Sequence, residues 1–427
     1  MRILWLNTNL LLPLDKGGKL RTWHLMRHLA GRHEITCLSF AEPDQAQAHL
    51  DGMSEVCSEL VTIPRRERHK EGWRFYTGVA RHLLDRLPYA VAQYRSRAYR
   101  RAVRSQLAHG GFDRVVCDFL VPAVNLPRAL PCPAVLFTHN VEAEIWRRHA
   151  ETESGILRRR LYAQQWRRML RFEGRTVARF DRVLAVSDVD RDTLQRLYGD
   201  RLKAPVSVIP TGVDTKYFAP RPATTEHAKR IVFTGSMDWL PNSDGVVFFC
   251  HEILPLIRQA EPDATFTIVG RSPTPAVRRL ADDDGIEVTG RVEDVRPYLR
   301  NAAVYVVPLR IGGGTRLKIF EAMAAGRAVV STTIGAEGLP TENGRHLLLA
   351  DTPREFADAV LTLLRDPATR SSIEAQGRAL VTERHDWSAA AAHLEAAIAD
   401  TRTPTHRTKR GAAASIPMTS VKRAKSL

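Results

Sequence analysis

Short apolar runs separated by helix-length segments recur along most of this chain, and this alternation constrains its fold more than any other feature. The runs are continuous and rich in valine and isoleucine, which is typical of parallel strands that are buried on both faces. Strands that alternate with helices predict doubly wound α/β sheets. The runs are RILWL, EITCLSF, LVTI, RVVC, AVLFT, RVLAVS and VSVIP in the first half, and RIVFTG, TFTIVG, IEVTG, AVYVVPL, AVVST and HLLLA in the second.

A change of composition near the middle of the chain divides these runs into two series. The segment VSVIPTGVDTKYFAPRPATTEHAKR contains three prolines, and the run RIVFTG restarts the alternation after it. We therefore predict two Rossmann-like domains, residues 1–215 and 216–385, because 427 residues exceed one ordinary core. Ligands bind such sheets in the crevice at the carboxyl ends of the strands. Residues 401–427 are basic and poor in large apolar side chains, which predicts a disordered tail.

The charge balance indicates an acidic partner. The net charge is +16 and the pI is about 10.0, which suits nucleic acid, an anionic membrane or a phosphorylated substrate. Charge is the only feature that suggests nucleic acid, and the sequence shows no recognised nucleic-acid-binding motif. We therefore expect no nucleic-acid partner.

Cysteine usage and hydropathy indicate a cytoplasmic protein without a spanning helix. The five cysteines are scattered singly, without the spacing of metal ligands, so we expect reduced, mostly buried thiols and no metal site. The opening MRILWLNTNLLLPL is interrupted by polar residues and Pro13, which favours a buried strand over Arg2–Asn7 rather than a signal sequence. No later apolar run reaches the roughly eighteen residues that a spanning helix needs.

Two arginine-rich regions, residues 65–104 and 158–182, allow two readings. Both interleave cations with aromatic side chains, and in the second Leu161, Trp166 and Met169 lie on or near the apolar face of a helix. Either region can be an exposed helix face whose cationic stems cover the core. Together they also predict contact with an anionic membrane surface, where each basic residue contributes on the order of 1 kcal/mol. Peripheral attachment to the inner face of the membrane is therefore a hypothesis.

Two stretches of the first half carry candidate site residues. Gly17 and Gly18 follow the first strand and open a helix, where a ligand can approach the backbone and the free N–H groups of the helix start. The stretch lacks the full dinucleotide-binding fingerprint, so a loop without a ligand is the alternative. His139 follows the strand AVLFT, where a doubly wound sheet puts its site, and we predict a functional role for it. Glu142 is a weaker candidate for orienting a hydroxyl, with stabilisation of a helix N-terminus as the alternative.

The stretch PLRIGGGTRLKIFEAMAAG carries the main chemical signal of the second half. A glycine-rich turn between a buried strand and a helix aims several backbone N–H groups at one point, which suits a diphosphate. Arginine binds phosphate oxygens in a fork, lysine acts as a point charge, and glutamate accepts hydrogen bonds from ribose hydroxyls. The alternative is charge pairing on a helix surface, worth roughly a few tenths of a kcal/mol. The predicted phosphate cradle consists of Gly312, Gly313, Gly314, Thr315, Arg316, Lys318 and Glu321.

Several blocks of the sequence, taken in order, resemble the family-4 (group 1) retaining glycosyltransferases. They include VIPTGVDTKYF, IVFTGSMDW, FTIVG, GIEVTGRVEDVRPYLRNAAVYVVPL, EAMAAGRAVVST and NGRHLLLA, and the resemblance covers nearly all of residues 1–400. It implies the GT-B fold, in which two Rossmann-like domains face each other across a cleft. The second domain would hold a nucleotide-sugar donor and the first the acceptor, without a metal ion or other cofactor. A return helix at about 386–400 would cross back to the first domain.

The resemblance also assigns roles to individual residues. Glu321 matches the second glutamate of the family's E-x7-E motif, which holds the donor ribose. Gly17 and Gly18 match the N-terminal loop near the donor phosphates and the acceptor. Gly235, at the end of the FTG block, is a further predicted donor- or phosphate-binding residue. Arg291 and Val292 match the loop beside the base. His139 matches a cleft histidine near the donor sugar, and with Glu321 it is the predicted catalytic pair.

Two departures from the family pattern concern the donor pocket. Gly313 stands where the first glutamate of E-x7-E is expected, so a carboxylate that usually contacts the donor sugar is absent. The family's arginine and lysine after the FTG strand are also missing, with Ser236 and Asn242 near those positions. We hypothesise that Arg316 and Lys318 neutralise the diphosphate in their place.

The activity implied by the resemblance is transfer of a sugar from a nucleoside-diphosphate sugar to a saccharide or lipid-linked acceptor hydroxyl. Transfer would retain the anomeric configuration and serve exopolysaccharide or cell-envelope glycan synthesis. A GT-B epimerase or phosphorylase is a second reading, which the matched blocks argue against. A non-catalytic sugar-nucleotide binder is a third, suggested by Gly313 and Ser236 and opposed by Glu321 and His139.

Overall fold

Two parallel β-sheets, each covered by helices, form the framework of the molecule. The computed structural model describes residues 1–14, 17–66, 85–153, 155–220, 229–311 and 317–401. The strands of the first sheet are β1 Arg2–Asn9, β2 Glu34–Ala41, β3 Glu59–Pro64, β4 Arg114–Asp118, β5 Ala134–Phe137, β6 Arg182–Ala185 and β7 Ser207–Val208. Those of the second are β8 Arg230–Thr234, β9 Thr265–Val269, β10 Ile286–Gly290, β11 Val304–Val307, β12 Val329–Ser331 and β13 Leu348–Leu349.

Helices connect most of the strands. In the first half they are α1 Gly17–Ala30, α2 Gln47–Gly52, α3 Tyr89–Ala92, α4 Arg97–His109, α5 Glu142–Thr152, α6 Ile156–Val177 and α7 Asp188–Tyr198. In the second half they are α8 Leu240–Phe248, α9 Leu254–Ala260, α10 Pro275–Arg278, α11 Arg296–Arg300, α12 Leu317–Ala324, α13 Pro353–Arg365, α14 Pro367–Arg384 and α15 Trp387–Ala399. Short 3₁₀ turns occur at Met53–Glu55, Val121–Asn125, Gly199–Arg201 and Arg279–Asp282, and a π-helical turn at Phe249–Ile253.

The central strands are apolar on both faces because each face packs against its own layer of helices. In β1, Ile3 and Trp5 belong to one apolar cluster, whereas Leu4 and Leu6 belong to another, and all four side chains are fully buried. Successive side chains of a strand point to opposite faces, so an uninterrupted apolar run is what two covering layers require. The predicted α/β class with two Rossmann-like sheets is confirmed.

The order of the strands creates one switch point in each sheet. The first sheet runs β3-β2-β1-β4-β5-β6-β7 and the second β10-β9-β8-β11-β12-β13. In both, the chain first adds strands on one side and then returns to the other, at β1/β4 and at β8/β11. The segments that follow the carboxyl ends of these strands border a crevice, where α/β proteins bind their ligands.

The two sheets differ from the predicted elements only at their ends. β1 extends to Asn9, two residues beyond the predicted Asn7, since Asn9 still pairs with Phe40 of β2 after a register shift. The first sheet ends at Val208 and the second begins at Arg230. The division of the chain at residue 215 stays a prediction, and the predicted tail after Thr401 lies outside the described residues.

The last helix returns to the first sheet, where α15 packs against α1. Just before α15 the chain passes beside the segment that connects the two sheets. There the Val213 backbone N–H donates to the His385 carbonyl over 2.7 Å. Trp387 stacks on His24 of α1 with ring centroids 5.2 Å apart. A Cβ at Gly212 would lie 2.4 Å from the Trp387 ring, so this crossing requires a glycine.

The arginine-rich regions are described in part, because residues 67–84 lie outside the described residues. Helix α4 buries Tyr99 and Val103 and exposes Arg97, Arg101 and Arg104, which fits an ordinary amphipathic surface helix. Within the part of the chain that the structure describes, no helix combines the length and the hydropathy needed to cross a bilayer.

Candidate active site

A carboxylate, an imidazole and a hydroxyl meet at the switch point of the first sheet. Asp118 ends β4 and His139 follows β5, and the His139 Nε2–H donates to Asp118 Oδ1 over 2.7 Å. The other oxygen of the carboxylate, Oδ2, accepts a hydrogen bond of 2.6 Å from the Thr22 hydroxyl of α1. Asp118 and the imidazole are almost completely buried. These three residues come together because α1, β4 and β5 converge on the same end of the parallel sheet.

Aromatic rings and a glycine hold this imidazole in place. The Phe119 ring stacks on His139 with centroids 3.8 Å apart and planes 13° from parallel, and Phe137 lies 4.6 Å away. A Cβ at Gly18 would approach Phe119 Cζ to 2.6 Å, so the second glycine of the predicted loop leaves room for this ring. Phe119 itself has a φ of 67°, in the left-handed region that non-glycine residues rarely adopt. Residues in such conformations cluster at functional sites.

Burial lowers the pKa of His139, and the nearby positive charge of Arg21 lowers it further. Asp118 acts in the opposite direction, both through its charge and through the hydrogen bond. Burial prevails, so the imidazole is neutral at neutral pH. Because Nε2 carries the proton that is donated to Asp118, Nδ1 carries a lone pair.

A buried arginine lies beside this group. Arg21 of α1 is fully buried, and its Nη2 donates to the Thr211 hydroxyl just after β7. Burial lowers the pKa of Arg21 to about 10, although the carboxylates of Asp190 and Asp118 both raise it. The guanidinium therefore remains charged and faces two carboxylates.

A lysine, an amide and a glycine meet at the switch point of the second sheet. The Lys318 Nζ of α12 donates to Asn242 Oδ1 over 2.7 Å and lies 4.0 Å from the centre of the Phe233 ring. A Cβ at Gly235 would stand 2.8 Å from Lys318 Nζ and 2.7 Å from Asn242 Nδ2. Gly235 thus follows β8 at a point where only a glycine leaves the lysine in place. The ammonium occupies the neighbourhood of Asn242, which fits the hypothesis that Lys318 acts for the missing family lysine.

Glu321 lies one turn after Lys318 on the same helix. Burial raises the pKa of Glu321 to about 7, and the charge of Lys318 acts against this rise. The residue as a whole is half-buried rather than fully enclosed. A carboxyl group with this pKa changes its charge near neutral pH, which ties its hydrogen-bonding capacity to pH.

The remaining predicted site residues divide into two groups. The glycine-rich turn with Thr315 and Arg316, residues 312–316, lies outside the described residues. Arg291 and Val292 follow β10, whose carboxyl end lies at the same edge of the second sheet as that of β8. The Arg291 side chain is exposed, and Val292 packs against the core of the second half. Their role beside a base stays a prediction.

Glu142 begins helix α5, and its backbone N–H donates to Glu173 Oε1 over 2.9 Å. Glu173 therefore caps this helix in place of a local side chain. It also accepts a hydrogen bond from the Tyr198 hydroxyl. Burial raises the pKa of both glutamates to about 7. The predicted role of Glu142 in orienting a hydroxyl stays a prediction.

The sequence did not single out Asp118, Thr22 or Glu173 as parts of functional or supporting groups. A carboxylate directly after the apolar run RVVC was a signal for Asp118, because that position lies at the carboxyl end of a strand. The described residues contain no group of three or more His, Cys, Asp or Glu side chains that could hold a metal ion.

Two family models match the chain in succession. The model described as Glycosyltransferase Family 4 matches residues 16–217, and the model described as Glycosyl transferases group 1 matches residues 228–366. The chain belongs to the group 1, family 4 glycosyltransferases. The predicted family is therefore confirmed. The match boundaries leave a gap at 218–227, between the two sheets of this glycosyltransferase.

Two relatives show how far the likeness of this glycosyltransferase extends. An uncharacterized 44.6 kDa protein in the cps region of Klebsiella pneumoniae is 20% identical over 399 residues, which cover 90% of this chain and 96% of that protein. The phosphatidyl-myo-inositol mannosyltransferase of Mycobacterium tuberculosis is 30% identical over 226 residues. This alignment covers 49% of this chain and 57% of the mannosyltransferase. It therefore spans little more than half of the mannosyltransferase.

The fold is shared with a solved glycan-related structure. Anabaena HepE in complex with UDP and glucose matches with a TM-score of 0.65 at 16% identity, covering 94% of this chain and 100% of that one. At this identity the likeness shows the fold alone. It agrees with the two parallel sheets.

Proposed function

We propose that this glycosyltransferase is metal-independent and moves a sugar from a nucleoside-diphosphate sugar to a hydroxyl of a saccharide or lipid-linked acceptor, with retention. The observation that carries the proposal is the group formed by Lys318, Asn242 and Gly235 at the switch point of the second sheet, with Glu321 one turn away. A cation held at this place suits the diphosphate, and the carboxylate suits the ribose. The mannosyltransferase and HepE likenesses support the nucleotide-sugar donor.

The leaving nucleoside diphosphate develops negative charge, which a preorganised site must stabilise. Lys318 supplies a positive charge whose position is fixed by its hydrogen bond to Asn242. Arg316 and the glycine-rich turn are proposed to supply a guanidinium and backbone N–H groups. His139 is proposed to lie beside the transferred sugar, and the acceptor would bind mainly to the first half. The retained anomeric configuration rests on family membership.

The proposed process is exopolysaccharide or cell-envelope glycan synthesis, carried out on the cytoplasmic side of a membrane. The Klebsiella relative from a cps region supports it, as do the exposed apolar side chains at the start of α6. There Ile156 and Leu157 are 72% and 83% exposed and precede the exposed Arg158, Arg159 and Arg160. Apolar side chains flanked by cations suit insertion into an anionic lipid interface.

A nucleotide-sugar panel tests the activity. UDP-glucose, UDP-galactose, UDP-N-acetylglucosamine and GDP-mannose are added to the full chain, with and without EDTA, and thermal unfolding is followed. A ligand that binds only the native state raises the unfolding temperature, and we expect at least one sugar nucleotide to do so in EDTA. The donor so identified is then incubated with acceptors, and release of nucleoside diphosphate and the new anomeric configuration are measured.

Each outcome of this panel has a defined meaning. Release of nucleoside diphosphate with a retained anomeric centre supports the proposal. Epimers of the nucleotide sugar as the product would replace it with the epimerase reading. Binding without release in the presence of every acceptor would indicate a non-catalytic binder.

Vesicle flotation tests the membrane contact. At low salt we expect the full chain to float with phosphatidylglycerol vesicles and not with phosphatidylcholine vesicles. The variant Ile156→Ser/Leu157→Ser should lose most of this binding, whereas the matched pair Arg97→Gln/Arg101→Gln on α4 should lose less. A wild-type chain that does not float with phosphatidylglycerol would contradict the proposed surface.

A further inference from the structure

Two neighbouring glutamates at the start of α5 differ in their hydrogen bonds. Glu173 of α6 accepts from the backbone N–H groups of Glu142 and Ala143, over 2.9 and 3.1 Å, and from the Tyr198 hydroxyl over 2.7 Å. Within the described residues, no hydrogen bond or ion pair reaches the carboxyl group of Glu142. Because Glu173 already caps the helix, stabilisation of the helix start does not explain the Glu142 side chain.

The Glu142 side chain lies in a concave part of the surface. The residue remains partly accessible, yet the surrounding protein desolvates its carboxyl group. A group that is accessible and poorly hydrated at once belongs to the wall of a crevice rather than to a convex face. Glu142 follows His139 by three residues, at the edge where β4 and β5 have their carboxyl ends. This edge is where α/β proteins bind their ligands.

The hydrogen bonds also determine how the two glutamates share their charge. Burial raises the pKa of both carboxyl groups to about 7, and their like charges oppose each other. Both oxygens of Glu173 accept hydrogen bonds, which favours the ionised form of this residue. Since the charge of Glu173 disfavours a second charge beside it, Glu142 is the member of the pair that keeps a proton near neutral pH.

This chemistry suits an uncharged ligand. The negative charge of Glu173 disfavours a phosphate or a sugar carboxylate in contact with Glu142. A protonated carboxyl group both donates and accepts a hydrogen bond, and so does a sugar hydroxyl. A poorly hydrated carboxyl group without a partner is unfavourable, so a bound hydroxyl would supply the hydrogen bonds that Glu142 lacks.

We propose that Glu142 binds a hydroxyl of an uncharged acceptor, and that Glu173 is the positioning residue that holds Glu142 at the crevice. Glu173 fixes the first turn of α5 through two backbone N–H groups, and Tyr198 of α7 fixes Glu173. A Cβ at Gly174 would stand 3.1 Å from the Tyr198 ring, so a glycine next to Glu173 leaves room for this tyrosine. The inference rests on the proposed glycosyl transfer and names a contact on its acceptor side.

Initial rates with varied acceptor at saturating donor test the contact. In Glu142→Ala we expect the KM for the acceptor to rise about 2- to 12-fold, which corresponds to the loss of one hydrogen bond. Glu142→Gln should restore most of the affinity, because an uncharged amide also donates and accepts. The matched control is Glu144→Ala on the same turn, whose carboxylate pairs with Arg147 over 2.8 Å, and its acceptor KM should stay unchanged.

Donor measurements on the same variants separate this contact from a general loss of structure. Thermal stabilisation by the donor, and slow donor hydrolysis without acceptor, should be the same in Glu142→Ala as in the wild-type chain. An unchanged acceptor KM in Glu142→Ala, or a parallel loss of donor stabilisation, would overturn the acceptor contact and leave the proposed function standing. Absence of nucleoside diphosphate release from every donor would instead refute the proposed function, and this inference with it.

A double-mutant cycle tests the role of Glu173. Glu173→Gln should raise the acceptor KM in the wild-type chain but add little in the Glu142→Ala chain, because it acts through Glu142. Its effect on the free energy of unfolding should be similar in both chains. An equal rise of the acceptor KM in both chains would overturn the positioning role of Glu173.

Discussion

The two switch points share a topology but differ in chemistry. The first places Asp118, His139 and Arg21 in a buried group, in which aromatic rings restrict movement of the imidazole. At the second, Lys318 donates a hydrogen bond to the Asn242 amide oxygen. Half-buried Glu321 lies one turn later on the same helix, which follows the glycine-rich stretch in sequence. The same backbone pattern therefore positions a buried carboxylate–imidazole pair in one half and, in the other, the lysine that we propose binds the diphosphate.

This difference suits the division of work in glycosyl transfer. The leaving diphosphate needs positive charge that is already in position, and we propose that Lys318 provides it. The transferred sugar is proposed to lie beside His139, whose imidazole is neutral and held between aromatic rings. Leu317, the first residue of α12, packs into an apolar cluster formed mainly by residues of the first half, so the helix that carries Lys318 contacts that half directly.

The largest expected effect concerns the charge of the second switch point. Lys318→Ala removes a charge-assisted contact, and we expect donor affinity to fall by about 10- to 150-fold, because hydrogen bonds to charged groups contribute about 1.5–3 kcal/mol. Isothermal titration with the donor measures this loss, and Lys318→Arg serves as the control that keeps the charge. Unchanged donor affinity in Lys318→Ala would show that the diphosphate does not bind at this site.

A glycine substitution at the first switch point should affect stability instead. Gly18→Ala places a methyl group 2.6 Å from the Phe119 ring, and overpacking of this kind costs about 1–3 kcal/mol. Urea unfolding measures the free energy of unfolding of each variant. The double variant Gly18→Ala/Phe119→Ala should lose less free energy of unfolding than the sum of the losses in the two single variants. Fully additive losses would show that the ring and the glycine do not interact.

The pH dependence of donor binding should come from the second switch point. Burial raises the pKa of Glu321 to about 7 in the donor-free chain, so the ionised carboxylate is lost as the pH falls through 7. Donor affinity should therefore decrease several-fold between pH 8 and pH 6, and Glu321→Gln should abolish this dependence. Donor affinity is measured by titration at several pH values in the wild-type chain and in Glu321→Gln. The same dependence of affinity on pH in both chains would assign the effect to another group.

The smallest effect is expected for the exposed ion pair between the two halves. Arg148 of α5 and Glu337, after β12, approach to 3.2 Å with both side chains well exposed. Exposed pairs contribute about 0–1 kcal/mol, so Glu337→Gln should lower the free energy of unfolding by less than about 1 kcal/mol and change kcat/KM by less than about fivefold. A larger change in kcat/KM without a change in stability would show that closure of the two halves depends on this pair.

The fold could be predicted from the sequence because burial on both faces leaves a direct mark in each strand. Ile3, Leu4, Trp5 and Leu6 read as one apolar run, and the structure buries them in two separate clusters. The end of β1 could not be fixed in this way, since Asn9 is held by pairing with Phe40 rather than by its own hydropathy.

The candidate site could be predicted only where a residue type marks its own place. His139 and Lys318 stand next to strand ends or glycines, and the sequence predicts a role for them on that basis. The partner of Asp118 is His139, 21 residues away in sequence, and Asn242 and Lys318 are 76 residues apart. Such pairs depend on strand order, which the sequence pattern does not contain. The sequence also could not predict that Gly18 leaves room for the Phe119 ring, because Phe119 lies in the connection that follows another strand.

The division between a diphosphate site and a sugar site is tested most directly by comparing two ligands on two variants. The nucleotide sugar identified by thermal stabilisation and its nucleoside diphosphate are titrated into Lys318→Ala and His139→Ala by calorimetry. We expect Lys318→Ala to weaken both ligands by a similar factor, whereas His139→Ala should weaken only the nucleotide sugar. Equal losses for both ligands in His139→Ala, or no loss of nucleoside diphosphate in Lys318→Ala, would contradict it.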